Sequence, residues 1–216
     1  RDWSSDVCSS DLSASDFPPM SFFDGTIHMG PIVVLRGTIQ AKDYYEKLYE
    51  ELSSNSEQGN GFIKDVKCRI FWDGMPIWGK LRMLSDLFKH SHAAVVASTY
   101  CNSWIFDDFD ENNPFESSAL AYTKIFINRS EKAKIEMLKQ WVEEYSIDGV
   151  IFHDSKTCFN NANTRFGMPG RFKEQTGTPV LVIEGDLCDL RFFSEGQSIS
   201  KIETFVEQLE QFNLVK

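Results

Sequence analysis

Four short apolar runs punctuate this sequence, at residues 68–72 (CRIFW), 93–98 (AAVVAS), 149–153 (GVIFH) and 179–183 (PVLVI), and amphipathic stretches separate them. Runs that are apolar almost throughout, rather than at alternate positions, read as strands buried on both faces. Strands of that kind alternating with helices form a parallel sheet covered on both sides. The pattern predicts an α/β fold: a doubly wound, mostly parallel sheet with helices on both faces.

The separating stretches supply the helices. Leu81, Leu84 and Phe88 share one helical face over 77–89, and the polar segment 100–114 reads as a loop. Helices are expected over 115–127 and 131–145, the second capped by Asn128, with Ile135, Leu138, Val142 and Tyr145 facing inward. Residues 164–176 read as a helix closed by Gly177. The last helix is expected from about Lys201, capped by Ser200 and burying Ile202, Phe205, Val206, Leu209 and Phe212. Upstream, residues 32–52 read as one helix and 53–61 (SSNSEQGNG) as a linker, because Ser, Asn and Gly favour turns. Residues 13–30 show no clear period and read as a connector. Tyr44, Tyr45, Trp72, Trp78 and Trp141, at helical or strand spacing, read as core.

Residues 1–12 (RDWSSDVCSSDL) match a translated short-read sequencing adapter and are set aside from fold reasoning. The expected organisation is therefore 1–12 extraneous, 13–60 connector and helix, and 61–216 a C-terminal α/β domain, with Ser13 an internal residue of a longer protein. The formal net charge of −10 repels a phosphate backbone unless cations cluster, and no basic stripe occurs, so nucleic acid is not an expected partner. No run approaches the roughly 20 apolar residues of a membrane helix, and no export leader opens the chain. Neither membrane nor secretory placement is expected, and the four cysteines beyond residue 12 read as thiols of a reducing cytoplasm.

In sheets of this class, ligands bind outside the carboxyl ends of the strands. The segments that follow the four strands begin Asp73-Gly74-Met75-Pro76, Thr99-Tyr100-Cys101-Asn102, Asp154-Ser155-Lys156-Thr157-Cys158 and Glu184-Gly185-Asp186-Leu187-Cys188. Three of the four carry a cysteine, whereas Cys68 opens its strand at the far edge and reads as core. Thiolates suit a soft metal or an iron–sulfur cluster, yet no Cys-x-x-Cys pair or ferredoxin run occurs, and buried unreactive thiols are the plainer alternative. His153 reads either as an acid, base or support for a ligand, or as a strand-end histidine bonded to backbone. Glu184, Asp186, Ser194, Glu195 and Gln197 form a polar rim, where helix capping is the ordinary duty of Ser and Glu. Gln197 has no evident capping duty and is the candidate for substrate contact.

The stretch DGVIFHDSKTCFNNANTRFGMPGRF, followed by TPVLVIEGDLCDLRFFSEGQSISKIETFVEQL, resembles the 2-hydroxyacyl-CoA dehydratase family, which includes benzoyl-CoA reductase subunits. The likeness extends from about Phe22 to the C-terminus, with DGMPIW and AAVVASTYCNSW fitting the middle part. The resemblance implies two stacked α/β halves holding a 4Fe–4S cluster. Cys158 and Cys101 match family cysteines after their strands, Cys188 is a less constant position, and a further ligand is expected upstream, so these residues alone would not complete a cluster.

The chemistry so implied is elimination of water from a 2-hydroxyacyl-CoA. A separate ATP-hydrolysing activator injects one electron, and a ketyl radical anion forms at the thioester and expels the 2-hydroxyl. A sister subunit completes the enzyme. The sequence has neither a Gly-x-x-x-x-Gly-Lys-Ser/Thr loop nor a Gly-x-Gly-x-x-Gly turn after a strand, so the nucleotide chemistry is expected in that separate protein. His153, Glu195 and Gln197 are the catalytic candidates, and Lys156, Arg165 and Arg171 are the cations expected to meet CoA phosphates. Two alternatives stand beside this reading: a reductase subunit acting on an aromatic acyl-CoA, and a non-catalytic electron-relay or scaffold subunit.

Overall fold

The computed structural model describes residues 10–103, 109–158 and 166–215. Strands β1 (Cys68–Asp73), β2 (Ala93–Ser98), β3 (Gly149–Ser155) and β4 (Val180–Gly185) form one parallel sheet in the order β2-β1-β3-β4. The order reverses between β1 and β3, and such a switch point opens a crevice at the carboxyl ends of the strands. The α-helices are α1 (Ser10–Ala14), α2 (Phe22–Val34), α3 (Ile39–Glu57), α4 (Leu81–His90), α5 (Thr99–Asn102), α6 (Pro114–Lys124), α7 (Glu131–Glu144), α8 (Met168–Thr176) and α9 (Glu195–Val215).

Side chains alternate across the sheet, and each side packs against an apolar core. Ile70, Trp72, Val95, Ile151 and Ile183 belong to a core with Phe22 and Phe23 of α2, Leu84 and Phe88 of α4, and Ile202, Phe205 and Leu209 of α9. Phe71, Val96, Val150 and Phe152 belong to the opposite core, with Ile135 and Leu138 of α7 and Met168 and Phe172 of α8. Covering on both faces is why the strand runs are apolar at nearly every position, with Arg69 as an exception near the amino end of β1, and the expected doubly wound architecture holds. At the start of β3 a Cβ on Gly149 would lie 2.7 Å from Phe205 and 2.9 Å from Leu209, so glycine lets α9 close against the strand.

Several boundaries differ from expectation. Residues 22–30, read as part of a connector, belong to α2. Its start carries a capping box in which the Asp24 N–H donates to Ser21 Oγ at 3.2 Å and the Ser21 N–H to the Asp24 carboxylate at 3.4 Å. The helix expected over 32–52 is two helices. The chain leaves α2 at Leu35 and restarts behind Thr38, whose hydroxyl accepts the Ala41 N–H at 3.3 Å. Helix α3 then runs to Glu57, through the first part of the expected linker. Ser130, not Asn128, caps α7, because residues 126–128 form a separate 3₁₀ turn. Helix α9 begins at Glu195, so Ser200 is interior to it. Of the aromatic residues read as core, Trp78 is 40 % exposed on a 3₁₀ turn at the sheet rim and Tyr44 is 38 % exposed on α3.

Candidate functional site

Hydrogen bonds between the segments that follow the strands tie the rim together. The Gly74 N–H donates to Thr99 Oγ1 at 2.7 Å, joining the ends of β1 and β2. The Trp78 N–H donates to the Leu187 carbonyl at 3.1 Å, and the Lys156 N–H to the Gly185 carbonyl at 3.0 Å. All four segments are therefore linked at the switch-point end of the sheet.

His153 is buried on β3 at 1 % exposure, and its Nδ1 lies 2.7 Å from the Met75 carbonyl. A carbonyl only accepts, so Nδ1 carries the proton and Nε2 presents a lone pair. That Nε2 has no hydrogen-bond partner among the described residues, and a Cβ on Gly185 would approach it to 2.8 Å. Burial lowers the imidazole pKa below its usual 6.5, although the Met75 bond and the nearby Asp186 and Asp154 pull the other way. The neutral form thus favours folding: its contribution is complete above pH 6.5 and is lost as the pH falls from there toward the lowered native value. Stability should fall by up to about 1.4 kcal/mol per pH unit in that window. His28, also lowered by burial, contributes a second slope. Urea midpoints taken between pH 7.5 and 5.5 should show a clearly shallower dependence in His153→Gln, and equal slopes in the two proteins would refute the assignment.

The three rim cysteines differ in setting. Cys101 sits in α5, in a cleft lined by Ser13, Met20, Ser21, Gly25, Ser98 and Asn102. Its Sγ lies 3.9 Å from the Thr26 hydroxyl, and its N–H donates to Ser98 Oγ at 3.0 Å. Burial pushes this thiol up to about 11, against the weaker opposing effects of Ser98 and Thr26. Cys158 follows β3 and is half-buried, whereas Cys188 is exposed. Cys68 is buried at the amino end of β1, its thiol pushed up to about 12 chiefly by burial, which agrees with its reading as core. Among the described residues no three His, Cys, Asp or Glu side chains form a group that could hold a metal ion.

Asp186, directly after β4, is 3 % exposed and gathers four donors. Oδ2 accepts the Thr157 N–H at 2.9 Å and the Thr157 hydroxyl at 2.6 Å, while Oδ1 accepts the N–H groups of Cys188 at 3.3 Å and Asp189 at 3.2 Å. Burial raises its pKa, but these hydrogen bonds together outweigh it and hold the carboxyl down at about 2. The sequence placed Asp186 in a polar rim without revealing that it joins two loops. Its signal was the Asp-x-Cys-Asp order, in which a carboxylate can accept from N–H groups two and three residues on.

The remaining candidates are spread around the rim. Glu195 opens α9 and pairs with Lys80 at 2.6 Å, and Gln197 is exposed in the same first turn. Lys156 lies between Asp154 at 2.7 Å and Glu184 at 3.0 Å, and the Asp154 bond leads the effects that raise its pKa. Arg171 makes a forked contact with Glu131, at 2.5 and 2.7 Å. Arg165 lies outside the described residues.

The fold is that of the open parallel α/β proteins, in which the crevice at the switch point lies at the carboxyl rim, here the end that carries the cysteine-bearing segments. The model of the family described as 2-hydroxyglutaryl-CoA dehydratase, D-component, matches residues 9–209, and the chain belongs to this family. Over 205 residues it is 29 % identical to a benzoyl-CoA reductase subunit of Thauera aromatica, covering 90 % of this chain and 48 % of that protein. It is 28 % identical over 193 residues to the lactoyl-CoA dehydratase alpha subunit of Anaerotignum propionicum, covering 89 % and 46 %. With the (R)-2-hydroxyisocaproyl-CoA dehydratase alpha subunit of Clostridioides difficile, identity is 29 % over 206 residues, covering 93 % and 49 %. The chain spans about half the length of these curated relatives. Among the described residues no helix is long and apolar enough to cross a membrane.

Proposed function

We propose that this chain is the C-terminal part of a subunit of an oxygen-sensitive, cytoplasmic 2-hydroxyacyl-CoA dehydratase that eliminates water from a 2-hydroxyacyl-CoA. The observation that carries this reading is the family match over residues 9–209, coinciding with a rim where thiols follow three of the four strands. The donor chemistry fits a 4Fe–4S cluster shared with residues beyond this chain, since thiolates are the usual ligands of such clusters. Cys101 and Cys158 would hold it, with Cys188 a third available thiol. When bound, the cluster supplies the single low-potential electron that a thioester carbonyl needs before a 2-hydroxyl can leave.

The chain's own residues would do the rest. His153, neutral at physiological pH, keeps its Nε2 lone pair beside Gly185 and steadies the Met75 turn through Nδ1–H. Glu195 and Gln197, at the start of α9, would line the substrate side. Lys156 and Arg171 already carry carboxylate partners, so a CoA phosphate would compete with Asp154 and Glu184, or with Glu131.

The test is anaerobic assembly of the full-length subunit with its sister subunit and an ATP-hydrolysing activator, followed by addition of a 2-hydroxyacyl-CoA. ATP-dependent appearance of the enoyl-CoA is expected, and its absence while an aromatic acyl-CoA is reduced would transfer the chain to the reductase branch. That branch is the second reading because the reductase relative is as similar as the dehydratases are.

A further inference from the structure

We propose that Asp186 is a positioning residue whose two carboxylate oxygens set the placement of the Cys158 loop and the Cys188 turn relative to each other. The inference rests on the reading of Cys158 as a cluster ligand given above. Oδ2 takes both donors of Thr157, the residue before Cys158, and Oδ1 takes the N–H of Cys188 itself and that of Asp189. The carboxylate is anchored, because it follows the last paired residue of β4, Gly185, which lies opposite Ser155 of β3. Backbone pairing reaches one residue further, through the Lys156 N–H to the Gly185 carbonyl at 3.0 Å. Thr157, the next residue toward Cys158, meets β4's continuation through the Asp186 side chain.

Only an ionised carboxylate satisfies this arrangement. All four groups donate in this geometry, and an asparagine offers one oxygen and one NH₂. In either orientation it turns N–H against N–H at Thr157 or at the Cys188–Asp189 pair. A sulfur ligand must be held to within about 0.5 Å of its productive place, and loss of a partner that fixes a ligand typically lowers metal affinity by about 10–100-fold.

The test pairs two measurements on Asp186→Asn. In this chain, amide hydrogen exchange over 156–158 and 187–189 should quicken by about 10-fold or more, as loss of bonds to a charged acceptor implies, while 68–73 and 149–153 keep their protection. In the assembled full-length enzyme, a chelator should remove iron from the variant at about 10–100-fold lower concentration than from the parent. Unchanged local exchange overturns the proposal. If Asp186→Asn does not fold, Thr157→Val removes one of the four donors and should still quicken exchange over 156–158, and no change there overturns it equally. Cys158→Ala separates the two readings. Iron retained in Cys158→Ala defeats the ligand reading on which the proposal stands, whereas iron lost in Cys158→Ala but held at parental affinity in Asp186→Asn defeats the positioning role alone.

Discussion

Replacing Cys158 with alanine in the full-length subunit, assembled with its partner, is expected to strip most of the iron from the complex. Turnover should fall by more than the roughly 10–100-fold that loss of a ligand's supporting partner costs, because the ligand itself is gone. Iron and acid-labile sulfide per subunit, measured after anaerobic reconstitution, report the outcome directly. A variant with parental iron and sulfide would refute the assignment, whatever its activity.

The expected contrast among the cysteines follows from where each thiol sits. Cys158 is half-buried and follows Thr157, which the Asp186 carboxylate holds at the carboxyl rim. Cys101 is half-buried as well, beside Gly25 and Thr26 of α2, and burial pushes its thiol up to about 11, which disfavours the thiolate there. Cys101→Ala should therefore release less iron than Cys158→Ala. Cys68 is a control, since β1 places it at the opposite end of the strands, about 17 Å from the rim at roughly 3.3 Å per residue.

Which parts of this molecule were legible in the sequence depended on how local their causes are. The four strands were readable because a buried parallel strand must be apolar on both faces. β2 ends where its apolar run ends, but β1, β3 and β4 extend past theirs: Asp154 and Ser155 are polar yet continue the ladder opposite Glu184 and Gly185. Helix α2 was hidden because Gly25, Gly30 and Pro31 argue against a helix and Ile27, Val33 and Val34 lie exposed, which erases the period. Its capping box, Ser21-x-x-Asp24, was the overlooked signal. At the site, the cysteine positions at strand ends were legible, but the Asp186 clamp was not, because nothing local says that residue 186 meets residue 157. Trp78 misled for the converse reason: indole at a spacing that fits a core is common, and only the tertiary fold puts this one on the rim.

Trp72→Ala should be the most destabilising single change in the sheet, costing about 3–5 kcal/mol, the range of large aromatic truncations in cores. Trp72 is fully buried on β1, with its ring stacked at 5.6 Å on Phe22, edge-on to Phe23 at 6.2 Å and 5.9 Å from the His153 ring. Its indole N–H also donates to the Met75 carbonyl at 3.2 Å, the same oxygen that His153 Nδ1–H reaches at 2.7 Å. One side chain thus fastens α2 to the sheet and supports the turn after β1. A loss of this size is a large part of the roughly 5–15 kcal/mol that folded domains possess, so the urea midpoint should drop sharply. Trp72→Phe, which refills most of the volume but cannot make the Met75 bond, should cost well under half as much. Because Phe22 and Phe23 hold the start of α2, where Gly25 and Thr26 cover Cys101, the alanine variant should also speed alkylation of Cys101 while it is still folded. A cost below about 1 kcal/mol, the median for ordinary point changes, together with an unaltered alkylation rate, would mean that α2 does not depend on this contact for its seat on the sheet.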